Sequence, residues 1–212
     1  MRAHSERTPS WSFRVVGERG RKRSSTSYRL GMQQLRGLDQ LVSEWRSSGP
    51  ERARFVPGFD PSGGGAAAKV LVLMESPGPA TIRQGEDAIS SEDNPGPTAS
   101  AFKRARIESG LGRNVYLRWN IVPWALGRAP TVTDIDDARP ALAQLLDSLP
   151  QLRAIVTFGT PALTGVMRYF TLEPRARVVP VLAAPHLSPA NATRAGEKHL
   201  RAVTALRHAS LL

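Results

Sequence analysis

A carboxylate, a carboxamide and an imidazole stand in three separate segments of this sequence, each within or just after a short apolar run. Glu75 falls in Met74-Glu75-Ser76-Pro77-Gly78-Pro79, Asn120 in Trp119-Asn120-Ile121-Val122-Pro123-Trp124, and His186 in Pro185-His186-Leu187-Ser188-Pro189. A carboxamide offers a donor and an acceptor on one planar group, and a histidine titrates near neutrality. Such groups gathered on one rim suit the recognition of a small polar ligand and the handling of charge beside it. Each also has a plainer use: His186 as an ordinary loop residue, Asn120 as a partner for backbone groups in its strand, Glu75 as a solvated carboxylate. Ser76 and Ser188 read as loop hydrogen-bonders rather than nucleophiles, because no G-x-S-x-G elbow surrounds them. His4, His199 and His208 read as surface residues. Trp11, Trp45, Trp119 and Trp124 could stack on bases, but core packing accounts for at least two of them.

The elements that must position these groups follow from the apolar pattern. Leu35, Leu38, Leu41, Val42 and Trp45 recur at helical spacing from Tyr28 to Arg46, and Gly49-Pro50 ends that helix. From Gly65 onward, strands and helices alternate. Strands are expected at Lys69 to Met74, Val115 to Val122, Arg153 to Phe158 and Arg177 to Leu182. Helices are expected at Thr98 to Ser109, Thr133 to Leu149 and Thr193 to Ala209. Thr160-Pro161 reads as the N-cap and first turn of one more helix, and Pro140 as a perturbation inside the second. Four strands separated by helices predict an α/β fold, a three-layer α/β/α sandwich around a mainly parallel four-stranded sheet. Residues 28–212 form one such domain, with 28–57 as its N-terminal helical extension. Residues 1–27, rich in arginine and serine, read as a basic flexible arm. In an open sheet of this kind ligands bind beyond the carboxyl ends of the strands, and Glu75, Asn120 and His186 all fall there.

Composition removes several function classes. The 212 residues contain no cysteine and four histidines, which excludes disulfides, iron–sulfur clusters and cysteine–zinc sites and predicts no metal. There is no G-x-x-x-x-G-K-[ST] loop, and Gly63-Gly64-Gly65 precedes the first strand, against a nucleotide-binding α/β protein. No apolar run approaches about 18 residues and residues 1–12 lack an apolar signal core, so a cytoplasmic protein with no membrane partner is expected. The formal net charge is +11, and residues 1–57, with 12 basic and 5 acidic side chains, supply +7 of it. That balance suits a polyanion, either nucleic acid or an anionic membrane surface, although an arginine-rich composition alone would also produce it.

The motifs, in this order, resemble the uracil-DNA glycosylase superfamily. Glu75-Ser76-Pro77-Gly78 is similar to its first motif, which reads GQDPY, GxNPG or GEAPG in different branches. Asn120 matches the asparagine of its second strand, and His186-Leu187-Ser188-Pro189 is similar to its HPSP. Phe59-Asp60-Pro61, Asp93-Asn94-Pro95 and Trp119 to Trp124 resemble one bacterial branch, and the likeness spans residues 55–208. The resemblance implies a monofunctional DNA glycosylase that flips a uracil or C5-modified pyrimidine out of single- or double-stranded DNA and leaves an abasic site. It implies no cofactor, a monomer associated with the nucleoid, and a role in base repair or in defence against modified phage DNA. In that reading His186 faces the pyrimidine O2, Asn120 holds the N3/O4 edge, and Glu75 with Ser76 holds the attacking water. Backbone groups near Gly78 touch the base or the adjacent phosphate; no clear aromatic stands in the family's usual stacking position, which leaves Phe102 or Trp124 for that place. Ser188, Ala190, Asn191, Arg194, Arg21, Lys22 and Arg23 contact DNA. The chain departs from the family in three places. The cluster-binding cysteines of the GEAPG branch are missing, Leu187 replaces the first proline of HPSP, and Ala190 stands where HPSPL has a leucine wedge. A catalytically silent module that senses damaged bases through the same pocket is the alternative.

Overall fold

The computed structural model describes residues 37–49, 54–189 and 194–212. Residues 1–27, expected as a basic arm, lie outside the described residues. Gly58–Phe59 (β1) and Ile89–Ser90 (β3) make a small two-stranded parallel pair. Val70–Met74 (β2), Tyr116–Asn120 (β4), Ala154–Phe158 (β5) and Val181–Ala184 (β6) form the main sheet, wholly parallel, in the order β4-β2-β5-β6. The helices are α1 over 37–47, α2 at Pro79–Ile82, α3 at Pro97–Ser109, α4 at Val132–Asp147, α5 at Thr160–Leu172 and α6 at Ala195–Leu211. The three-layer α/β/α sandwich expected from the alternation is the fold observed.

Both central strands, apolar but for Thr157, are buried along their whole length, as strands covered on two faces must be. Their side chains alternate between two cores. Leu71, Leu73, Leu117, Trp119 and Ile155 pack under α1, α4 and α5, while Val72, Met74, Tyr116, Val156 and Phe158 pack under α3 and α6. Trp119 stacks on Phe59 at 3.8 Å between ring centroids, with Trp45 of α1 at 5.8 Å from Trp119, so this aromatic cluster locks the β1 loop onto the sheet. The chain leaves β2 for β4 by way of α3, then returns across β2 to β5 by way of α4 on the opposite face. The loops after β2 and β5 therefore depart to opposite sides, and a crevice opens between those two strand ends.

Three local expectations need correction. The last strand is Val181–Ala184 rather than 177–182, because Arg177 leaves the sheet and donates to the carbonyls of Leu149 and Leu152. Pro180 then offers its carbonyl to Ile155 N at 2.9 Å and starts the pairing without needing an N–H. Gly159, at φ +94°, caps α5, and Thr160 is its first helical residue, with no side-chain cap. Pro140 sits inside an unbroken α4, whose start is fixed by a capping box between Thr131 and Asp134.

Candidate active site

The sheet order sets β2 between β4 and β5, so the loop after β2 borders both neighbours. Met74 pairs with Asn120, and past the strand end Val122 N donates to Glu75 O at 3.0 Å. On the other side Gly159 N donates to Ala184 O at 3.0 Å, which brings the residues after β5 and β6 against the same loop. Gly159 is where the groups converge. A Cβ there would lie 2.5 Å from Glu75 Oε1 and 3.3 Å from the His186 Cβ, and its φ of +94° belongs to glycine. Only a glycine lets the β5 end approach Glu75 and His186 this closely.

Glu75, Ser76, Gly78, Asn120, His186 and Ser188 all line one cavity of about 570 Å³. Asn120 is only 6% exposed, and its carboxamide makes no hydrogen bond among the described residues, so a donor and an acceptor are held ready at the cavity wall. His186 Nδ1 accepts from Ser188 N at 3.1 Å. Burial holds the His186 pKa below its ordinary value, Glu75 opposes this, and Arg118 and Lys198 add to it. A neutral ring whose Nδ1 accepts carries its proton on Nε2, and the imidazole is thereby a donor without being a cation. At Gly78 a Cβ would meet open space, so the motif itself sets no wall there.

A buried ion network supports the cavity from the side of the β3 loop. Glu92, fully buried, accepts from Arg106 Nε at 2.9 Å and Nη2 at 2.6 Å and from the Tyr116 hydroxyl at 2.8 Å. Arg113 pairs with Asp60 at 2.7 Å and with Asp93 at 2.5 Å, and the Ser91 hydroxyl donates to Asp60 at 2.6 Å. Asp60 also accepts from Ser62 N at 2.8 Å. The β1 loop, the β3 loop, α3 and β4 are thus tied together just behind the lining residues Ser90, Asn94 and Gly96.

Several of the expected ligand-facing residues fall elsewhere. Phe102 is fully buried between Tyr116 and Phe158, and Trp124 packs in the opposite core under the Arg54 guanidinium; neither lines the cavity. An inward stack by either ring is corrected to core packing: Phe102 sits on the buried face of α3, and Trp124, in the loop after β4, is packed into the core beneath Arg54. Arg194 precedes α6 with its side chain 78% exposed, near Glu197 and away from the cavity. Ala190, Asn191, Arg21, Lys22 and Arg23 lie outside the described residues. Sequence reasoning missed Arg118 and the Gly159 approach. Arg118 carried a usable signal, a charge two residues before Asn120 in an apolar strand.

Among the described residues no cluster of three or more histidine, aspartate or glutamate side chains could hold a metal, and no helix is long and apolar enough to cross a membrane. No protein-family model matches the chain, and neither does any curated protein.

Proposed function

We propose that this protein is a monofunctional DNA glycosylase, hydrolysing the N-glycosidic bond of a flipped uracil or C5-modified pyrimidine. The observation that carries the reading is the pairing of an unpartnered, buried Asn120 carboxamide with a neutral His186 at one cavity, beside the Glu75 carboxylate. The flipped base enters the cavity, at a cost of a few kcal/mol of unstacking. Asn120 spans its N3–H and O4, accepting from the first and donating to the second. As the bond from C1′ to N1 breaks, its electron pair passes to the base and negative charge collects on O2. His186 Nε2–H donates to that oxygen, and a preorganised donor of this kind stabilises the leaving anion. Water held by Glu75 and Ser76 adds to the cationic C1′ and leaves a hydroxyl there; its proton passes to the carboxylate and ends on the departed base. Gly78, with open space beyond it, sets no steric bar at C5 and suits a broadened pyrimidine range. A cytoplasmic, nucleoid-associated monomer in repair or phage defence is the setting this reading implies.

The test is release of free base from oligonucleotides each carrying one uracil, 5-hydroxymethyluracil or bulkier C5-substituted pyrimidine. Alkali-labile abasic sites with wild-type protein, reduced about 10²–10³-fold by His186→Ala, are expected. Tight lesion binding with no base released from any of them would make the protein a silent sensor and overturn the enzyme reading.

A further inference from the structure

Arg118 stands two residues before Asn120 on β4, so both side chains leave the same face of the strand, and both line the 570 Å³ cavity. Its Nη1 donates to Ser90 Oγ at 3.2 Å and to Ser91 O at 3.3 Å. Its Nε is enclosed without any partner, and Arg118 forms no ion pair among the described residues. The acids close enough to influence it are already engaged. Glu92 serves Arg106 and Tyr116, while Asp60 serves Arg113, Ser91 and the Ser62 amide. Burial lowers the Arg118 pKa, and Tyr116, Glu92 and Asp60 only partly oppose that. A guanidinium nevertheless stays charged at any working pH.

The Phe102 ring centroid lies 5.9 Å from the guanidinium carbon, but a ring face is no counter-anion, and a partly buried cation without one is costly. The rest of the cavity does not supply one. Glu75 lies by His186, and Arg128, also on the wall, is held bidentately by Asp134 at 2.5 and 3.0 Å. The fixed charge beside Asn120 is therefore positive. We propose that Arg118 anchors an oxyanion subsite within this cavity, taking a carboxylate or phosphate oxygen of a ligand whose polar edge lies on Asn120. With Nη1 given to Ser90 and Ser91 and Nε enclosed, Nη2 is the group left to donate to an oxygen of either ligand. The inference rests on reading the cavity as a pyrimidine pocket. It goes further in assigning an anionic group to the ligand, carried either by the base or by the sugar of the flipped nucleotide.

Titration calorimetry on the full chain separates these sources with two matched pairs: uracil against uracil-5-carboxylate, and 2′-deoxyuridine against its 5′-phosphate. At least one anionic member should bind tenfold or more tightly than its neutral parent, and the pair showing the gain identifies the source. Arg118→Met should abolish the gain, and Arg118→Lys should restore only part of it, since an ammonium keeps the charge but not the planar group that Ser90 and Ser91 hold in place. Equal affinities within both pairs for wild-type protein, no measurable binding of any of the four, or a gain that survives in folded Arg118→Met, would overturn the subsite. Anion preference in these titrations without base release from any oligonucleotide would overturn the glycosylase and leave the subsite standing.

Discussion

At the scale of single residues, the site depends on a backbone position as much as on its functional groups. Gly159 has no chemistry, yet its missing Cβ creates the room in which Glu75 and His186 meet. Gly159→Ala should lose about 1–3 kcal/mol from backbone strain alone, because φ +94° with ψ 160° is a region that only glycine populates freely. The new methyl also lands on Glu75 Oε1, so base release should fall as well. In a Glu75→Ala background that second effect should vanish while the stability loss remains; denaturant midpoints and single-turnover rates check both, and additive rate losses would refute the clash. Asn120→Asp replaces a donor by an acceptor and should weaken excision of uracil while admitting a trace of cytosine, whose C4 presents an amino group. Unchanged uracil excision would make Asn120 structural. For His186 the sign follows from its depressed pKa: the neutral form persists below the ordinary value of about 6.5, and proton uptake comes only at more acid pH. Single-turnover rates should therefore stay level from about pH 8 to about 6.5 and fall below it; a limb centred at or above about 7 would contradict a neutral imidazole donor.

At the scale of elements, the residues that hold the cavity are not those that line it. Glu92 is fully enclosed and answers Arg106, Tyr116 and, at 3.4 Å, Arg113, and its removal leaves Arg106 and Tyr116 facing a void. Glu92→Ala should cost on the order of 3 kcal/mol, read as a lower urea midpoint, since breaking one side of a buried ion pair strands the other. The same network makes stability sensitive to acid. Burial acts to raise the Asp60 pKa, but the Ser91 hydroxyl, the Ser62 amide and Arg113 outweigh it and hold the group below its ordinary value. A lowered carboxylate stabilises at pH above its unfolded value of about 4, and that contribution is lost as pH falls through the lower folded value. The urea midpoint should accordingly drop below about pH 4, and Asp60→Asn should flatten the decline. This network also marks where sequence reading stops. The sheet is legible because parallel strands impose continuous apolar runs, and Glu75, Asn120 and His186 are legible because such sheets bind ligands at strand ends. Asp60, Glu92 and Arg113 are 32 and 21 positions apart in the chain, so nothing local in their spacing announces that they meet. The last strand departs from its expected place for a similar reason: Arg177 is drawn off by carbonyls of a different loop.

At the scale of the whole molecule, charge is unevenly spread along the chain, and this has a measurable consequence for polyanion binding. The net charge is +11, of which residues 1–57 supply +7, while the cavity segment adds a guanidinium without a counter-anion. A local subsite and a diffuse basic segment act differently. The first recognises one group at short range, whereas the second gains free energy by releasing counterions from a phosphate chain, with no preference for sequence. Removing residues 1–27 deletes Arg2, Arg7, Arg14, Arg19, Arg21, Lys22 and Arg23 without touching any residue of the cavity. On duplex DNA the slope of log K against log salt should then become shallower by about 0.9 for each phosphate that these side chains no longer neutralise. Affinity at low salt should fall, yet the ratio between lesion-containing and undamaged DNA should hold if, as proposed, the cavity makes the discrimination. Binding of uracil-5-carboxylate should likewise be unaffected. Fluorescence anisotropy between about 50 and about 200 mM salt, on full-length and truncated protein, measures the slope and the ratio together. An unchanged slope would remove residues 1–27 from the DNA interface, and a collapsed ratio would show that they take part in recognising the lesion itself.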